Sequence, residues 1–307
     1  FFCLIITLIS IFSEYGFLSL KTSLFYIRFI LFLILFNYFL SKHEKNFLKY
    51  FFYSSTFGYF FFIFDAYIQY FFGYDLFLYE KPHQRLTATF GDEQIVGSFV
   101  SKFMPLYIGL LYLLDKKKFF IFFTLFISCV ITLLSGERSA TFYILIFSLI
   151  ILILLSWDKK LNILYFILLI TITYASFLIT DRDLKKRHFS SIETILDSKD
   201  NKITIFSKAH EYHYLSAYKI FLDNKIIGTG PKTYRYECKK EKYYISKMSC
   251  TTHPHNVLLQ FASETGIIGL IFYFTSIIYL FISFYKIFMN YIRTREKRDF
   301  FNLCLIL

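Results

Sequence analysis

The chain has 307 residues, 56 % of them apolar, with a mean hydropathy of +0.50. Recurrent apolar runs at that density exclude a soluble globular domain and indicate an integral membrane protein. The formal charge of +12 does not signify a nucleic-acid partner, because no basic stripe lies on a recognisable nucleic-acid module; anionic lipid head groups or substrates account for it better.

Apolar length and periodicity predict helices over 1–12, 24–40, 47–72, 95–114, 119–134, 140–156, 161–180 and 266–289, with a short run from 300. The run 1–12 lacks the basic flank and small-residue cleavage site of a signal peptide. The chain does not begin with Met, and its last run is too short to span a bilayer, so it reads as a fragment. Segments 41–50, 115–118, 157–160 and 290–299 hold 12 Lys/Arg in 28 residues, whereas 13–23, 73–94 and 135–139 hold 4 in 38. The positive-inside rule puts the first set in the cytoplasm and the second outside. Alternation then places the long segment 181–256 outside, since long loops cross largely regardless of charge. Within it Lys208 to Asp223 has Leu215, Tyr218 and Phe221 at helical spacing, ended by Asn224-Lys225 and Gly228-Thr229-Gly230-Pro231. The expected fold is an all-α polytopic membrane protein, a transmembrane helix bundle with one long, partly helical outer loop. Its expected divisions are N-terminal helices over 1–80, a catalytic membrane domain over 81–289 that includes the loop 181–256, and a terminal loop and helix over 290–307. Three polar segments converging on one face predict a site at the outer mouth of the bundle. Tyr70, Tyr74 and Tyr79 suit an aromatic belt there, and Asp65 and Lys102 lie near helix ends on that side.

The chemistry-bearing stretch is Thr252-His253-Pro254-His255-Asn256, followed after nine residues by Gly266 and two residues later by Gly269. Pro254 permits a turn, His255 sits just outside a helix, and the two glycines are expected to allow close helix approach. Three shorter segments accompany it: Ser135-Gly136-Glu137-Arg138-Ser139-Ala140, Arg85-Leu86-Thr87-Ala88-Thr89-Phe90, and Gly228-Thr229-Gly230-Pro231-Lys232-Thr233-Tyr234-Arg235. Taken alone, most loop histidines are simply solvated and most interfacial arginines are anchors; Arg28, with no motif around it, reads as an anchor.

In order and spacing these segments resemble the bacterial O-antigen ligase and O-antigen polymerase superfamily, over about residues 80–289. The resemblance implies a GT-C-like glycosyltransferase in the bacterial inner membrane, with its long loop and active site facing the periplasm. Its substrates would be an undecaprenyl-diphosphate-linked glycan and a lipid A-core or glycan acceptor, with membrane lipids around it. No cofactor and no metal ligand set is implied, and direct attack would invert the anomeric centre. His255 is the implied base, and Arg138 and Arg235 are the implied catalytic cations, since arginine binds phosphate oxygens bidentately and stays charged. Arg85, Asn256, His253, Lys232, His210 and Glu264 are the implied substrate-binding residues. Two departures stand out: Ala88 replaces the family's usual glycine, and Lys208 or His210 replaces an arginine usual before the outer amphipathic helix. The ligase reaction is preferred because the histidine motif is what ligases are recognised by; repeat-unit polymerisation is the alternative. A transporter or flippase, the alternative of another class, would place its polar groups near the midplane rather than on one face.

Cys238 and Cys250 match no zinc module with His253 and His255, and an oxidising outer face favours a disulfide between them. Cys3, Cys129 and Cys304 fall in apolar runs and read as packing residues.

Overall fold

A computed structural model describes residues 2–82, 85–155, 160–196 and 208–307. Residues 157–159 of the expected inner loop and 197–207 of the long segment lie outside the described residues. Among the described residues no strand forms, and four helices are long and apolar enough to cross a membrane, or five if a bent pair counts as one span. The protein is therefore an all-α polytopic membrane protein. In chain order the helices are α1 (Phe2–Ile11), α2 (Gly16–Phe25), α3 (Ile27–Phe72), α4 (Val96–Leu113), α5 (Lys118–Leu134), α6 (Arg138–Leu155), α7 (Lys160–Thr180), α8 (Arg182–Leu196), α9 (Lys208–Asp223), α10 (Tyr234–Glu237), α11 (Val257–Thr294) and α12 (Lys297–Ile306). They form two compact units, residues 1–44 with 194–282, and residues 45–193 with 283–307.

In the first unit the segment 13–23, expected as a loop, is mostly helical, because α2 occupies it and packs on α1. Its serines explain the difference. Ser10, Ser19 and Ser23 are fully buried, Ser10 Oγ donates to Ile6 O at 2.7 Å, and Ser10 and Ser23 share a 2.6 Å hydroxyl bond. Hydroxyls satisfied by one another and by a carbonyl one turn back can sit inside a helix pair, so their polarity does not mark a loop. The segment 41–50, likewise expected as a loop, is helical within the 46-residue α3, with non-helical backbone only at His43. That interruption falls among the charged residues Lys42, Glu44 and Lys45. The polar part of this unit has its own small core. Ala217, Ile220, Tyr234, Cys238 and Tyr243 are buried together, with Cys250 and Leu259 packed against them. Cys238 and Cys250 are disulfide-bonded across a Cα–Cα distance of 5.3 Å, as expected.

The second unit is organised around α4, which packs on α5, α6 and α12. At the C-terminal end of α4, Lys297 pairs with Asp115, joining the expected inner segments 115–118 and 290–299. At its N-terminal end the segments 73–94 and 135–139 meet. Leu86 N–H donates to Ser135 O at 3.4 Å, and the Glu137 carboxylate accepts from Gly97 N–H at 2.6 Å and from Ser98 Oγ at 2.6 Å. A carboxylate there satisfies orphan donors and complements the helix dipole. Within this unit the helix ends therefore group the loops as the charge count does. The helix pair α7–α8 is bent by 111° between residues 164–180 and 182–189, and Asp181 caps the second helix through Leu184 N–H at 2.9 Å.

Candidate functional site

The histidine turn sits at the head of α11, which begins nine residues before the helix expected from 266. Asn256 explains the earlier start: its Oδ1 accepts Leu259 N–H at 3.1 Å, the bond of a helix N-cap. The first part of α11 then breaks at Gly266, whose φ of 63° and ψ of −157° suit essentially only glycine. A broken helix leaves carbonyls and N–H groups without intrahelical partners. Here the segment 225–230 supplies them. Thr229 N–H and Gly230 N–H donate to Ser263 O at 3.0 Å and Glu264 O at 2.8 Å, while Ile267 N–H and Ile268 N–H donate to Lys225 O at 2.8 Å and Ile226 O at 3.3 Å. A Cβ on Gly228 would strike the Glu264–Thr265 backbone, and one on Gly266 would strike Ile226. The expectation that Gly266 and Gly269 let helices approach is thus revised. Gly266 lets the 225–230 turn splice into the break, and a Cβ on Gly269 would meet the Thr265 side chain of its own helix.

Splicing fixes the 228–235 loop and so places Arg235 and Lys232. Glu264 is 5 % exposed; its carboxylate accepts Tyr234 N–H at 3.2 Å and the Lys232 N–H, and Gln260 Nε2 donates to it at 3.2 Å. Glu264 therefore holds the loop by its backbone and also attracts the Arg235 charge. On the loop's other side Ser13 hydroxyl donates to Thr229 O. Arg235 is half-buried, with its Nε enclosed and lacking a partner among the described residues.

Four of the chain's seven histidines surround the head of α11. The His255 ring lies 4.3 Å from that of His253, 5.3 Å from His213 and 5.6 Å from His210. His213 is buried, and its Nδ1 contacts Ser249 O at 3.1 Å; a carbonyl only accepts, so Nδ1 carries the proton. His255 itself is exposed and has φ +55°, a left-handed conformation that costs a non-glycine residue about 1 kcal/mol or more. Partial desolvation, then the neighbouring His253, His213 and His210, hold its pKa below the ordinary imidazole value. Desolvation and the Arg235 charge lower His253 as well. His210, one of the two candidates for the missing arginine, lies beside His255. Cys238 and Cys250 are bonded to each other, and among the described residues no three His, Cys, Asp or Glu side chains converge as metal ligands would.

Arg85 and Arg138 belong to the second unit. Arg138 opens α6 directly after Glu137, whose carboxylate accepts from the start of α4. Arg187 of α8 joins them: its Nε donates to Gly136 O at 3.4 Å, and its charge is opposed by those of Arg85 and Arg138. Arg85 leads into the segment where Gln69 Oε1 accepts Thr87 and Ala88 N–H, both at 2.8 Å. Ala88, at the family's glycine position, has φ +44° and is fully buried.

A family model described as O-antigen ligase matches residues 123–274. The chain belongs to the O-antigen ligase and polymerase superfamily. No curated protein and no solved structure matches it. Membership carries a ligase- or polymerase-type glycan transfer, with a lipid-linked glycan and a glycan acceptor as its substrates in general. The matched span contains Arg138, Arg235, His255, Gly266 and Gly269, while Arg85 precedes it.

His213 and Arg187 stand in these two clusters but are not among the site residues expected from the sequence. The His210-x-x-His213 spacing puts both on one face of α9, a signal that could have found the first. Arg187 carried none, because nothing in Lys185-Lys186-Arg187 sets one cation apart from its neighbours. Asp65, undecided between cavity and interface, is buried and its Oδ1 accepts Leu76 N–H at 2.7 Å.

Proposed function

We propose that the protein moves an undecaprenyl-diphosphate-linked O-antigen glycan onto an acceptor at the periplasmic face of the bacterial inner membrane, the lipid A-core ligase reaction foremost. Repeat-unit polymerisation is the same transfer with another lipid-linked glycan as acceptor. The observation that carries this reading is His255: a partly desolvated imidazole on strained backbone, ringed by other imidazoles and placed at the head of a spliced helix. An imidazole held neutral can take the proton of an acceptor hydroxyl as its oxygen attacks the anomeric carbon. The bond from that carbon to the diphosphate breaks, the diphosphate departs with the electron pair, and configuration inverts. Arg138 and Arg235, with Arg85, would meet the charge that develops on the leaving group. Arg187, held to Gly136 O, adds a further cation near Arg85 and Arg138 for the same charge. His253, His210 and Lys232 would contact substrate, while Asn256 and Glu264 would serve it by holding the turn and the loop.

His255→Ala, in the purified chain reconstituted with lipid-linked glycan and acceptor, should lower transfer by roughly 10²–10⁴-fold. Undiminished transfer by a normally inserted variant would refute the assignment, and glycan movement across vesicles without transfer would favour the flippase reading. Because the neutral form is active and its pKa is lowered, the rate should hold as pH falls through 6.5 and decline only below it. In a deletion strain, loss of all lipopolysaccharide ladder with polymer still lipid-linked identifies a ligase; a single-repeat band identifies a polymerase.

A further inference from the structure

The loop that carries Arg235 also walls a cavity of about 450 Å³ with α2 and the first turn of α3. Lys21, Arg28, Lys232 and Arg235 line it, together with Phe25 and Phe29, and among the described residues no carboxylate does. Four cations in one cavity oppose one another, and none of Lys21, Arg28 and Lys232 forms an ion pair among the described residues. The Arg28 guanidinium lies over Phe25 at 3.7 Å and over Phe29 at 4.7 Å. Stacking fixes the guanidinium by its face and leaves the in-plane N–H donors for oxyanions. The enclosed Arg235 Nε lacks a partner among the described residues and adds a further donor.

A small soluble anion has no use for the aromatic wall, and a neutral lipid has none for four cations. The combination fits an amphiphile with a phosphate-bearing head and a hydrocarbon tail. We infer that Lys21 and Arg28 bind the phosphate head of the lipid-linked substrate in this cavity, beside Lys232 and Arg235, with the prenyl chain against Phe25 and Phe29. This inference rests on the proposed glycan transfer and extends its binding site to the N-terminal helices, where Arg28 is more than an interfacial anchor.

The test titrates the full purified chain in detergent with undecaprenyl diphosphate, inorganic diphosphate and phosphatidylglycerol. The double variant Lys21→Gln/Arg28→Gln should bind undecaprenyl diphosphate roughly 10–100-fold more weakly, the effect of losing one or two charge-assisted hydrogen bonds. It should raise KM for the lipid-linked glycan by a similar factor and leave kcat nearly unchanged. Phe25→Ala/Phe29→Ala should weaken the lipid while leaving inorganic diphosphate unaffected. Lys21→Arg/Arg28→Lys should restore most of the affinity, which separates lost charge from lost folding. Binding by the Gln variant within twofold of the parent overturns the inference, as does equal competition by phosphatidylglycerol, which would make the cavity a general phospholipid site. His255→Ala keeps the readings apart: it should bind undecaprenyl diphosphate normally and transfer nothing. If it is inactive while the Gln variant binds normally, only this inference fails.

Discussion

In the first unit, the backbone groups orphaned at the Gly266 break are met by other backbone groups, those of the segment 225–230. In the second, the turns at 85–97 and 135–138 have their backbone groups met by side chains: Gln69 takes Thr87 and Ala88 N–H, and Glu137 takes Gly97 and Ser98 N–H. Both constructions hold candidate cations beside a buried carboxylate turned toward main-chain donors. They fix different residues, however. A backbone splice needs two chains at main-chain distance, so it depends on positions with no Cβ. The side-chain clamps depend on one buried amide and one buried carboxylate; the Gln69 clamp tolerates Ala88 at positive φ, whereas the Glu137 clamp closes on Gly97, where a Cβ would meet Ser135 and Glu137.

Substitutions can break each construction separately. Gly266→Ala should have the largest effect, about 3 kcal/mol or more of destabilisation, from a conformation reserved for glycine and a Cβ driven into Ile226. Amide exchange should rise at 225–230 and stay unchanged at 85–97; a uniform rise would mean the splice is not a local device. Next, Gln69→Leu should cost about 2–3 kcal/mol in unfolding measured in mixed micelles, because two buried N–H groups lose their acceptor. Its exchange signature should be the reverse, confined to 85–90. The smallest effect has the opposite sign. Ala88→Gly should stabilise the protein by up to about 1 kcal/mol by removing the Cβ from a left-handed position. A loss of stability there would show that the buried methyl packs better than the backbone relaxes.

Much of this architecture could be read in the sequence where one property decides it. Long apolar runs marked the spans, and the oxidising-face argument paired Cys238 with Cys250. The histidine motif marked the head of α11 because its spacing is recorded directly in the chain. What could not be read depended on partners distant in sequence. Ser19 and Ser23 look like loop residues until Ser10, on a different helix, satisfies them. Gly266 looks like a helix start, since nothing local shows that a segment some forty residues earlier will complete the helix on both sides of it. Glu264 looks like a substrate ligand because its use by Lys232 and Tyr234 main chain exists only after the loop folds back. That Arg28 shares a cavity with Arg235 likewise exists only once the loop is in place.

The disulfide has a topological relation to the splice. Cys238 and Cys250 both lie between the splice's two partners in the chain, and they close off a separation of 12 residues. With the bond formed, the free length that must be ordered between the partners shrinks from about thirty residues to about twenty, which lowers the closure entropy by roughly 0.4 kcal/mol. The cross-link thus acts as a tether set inside a larger ring. It shortens the search that brings Thr229 and Gly230 to Ser263 and Glu264, without touching any of the four.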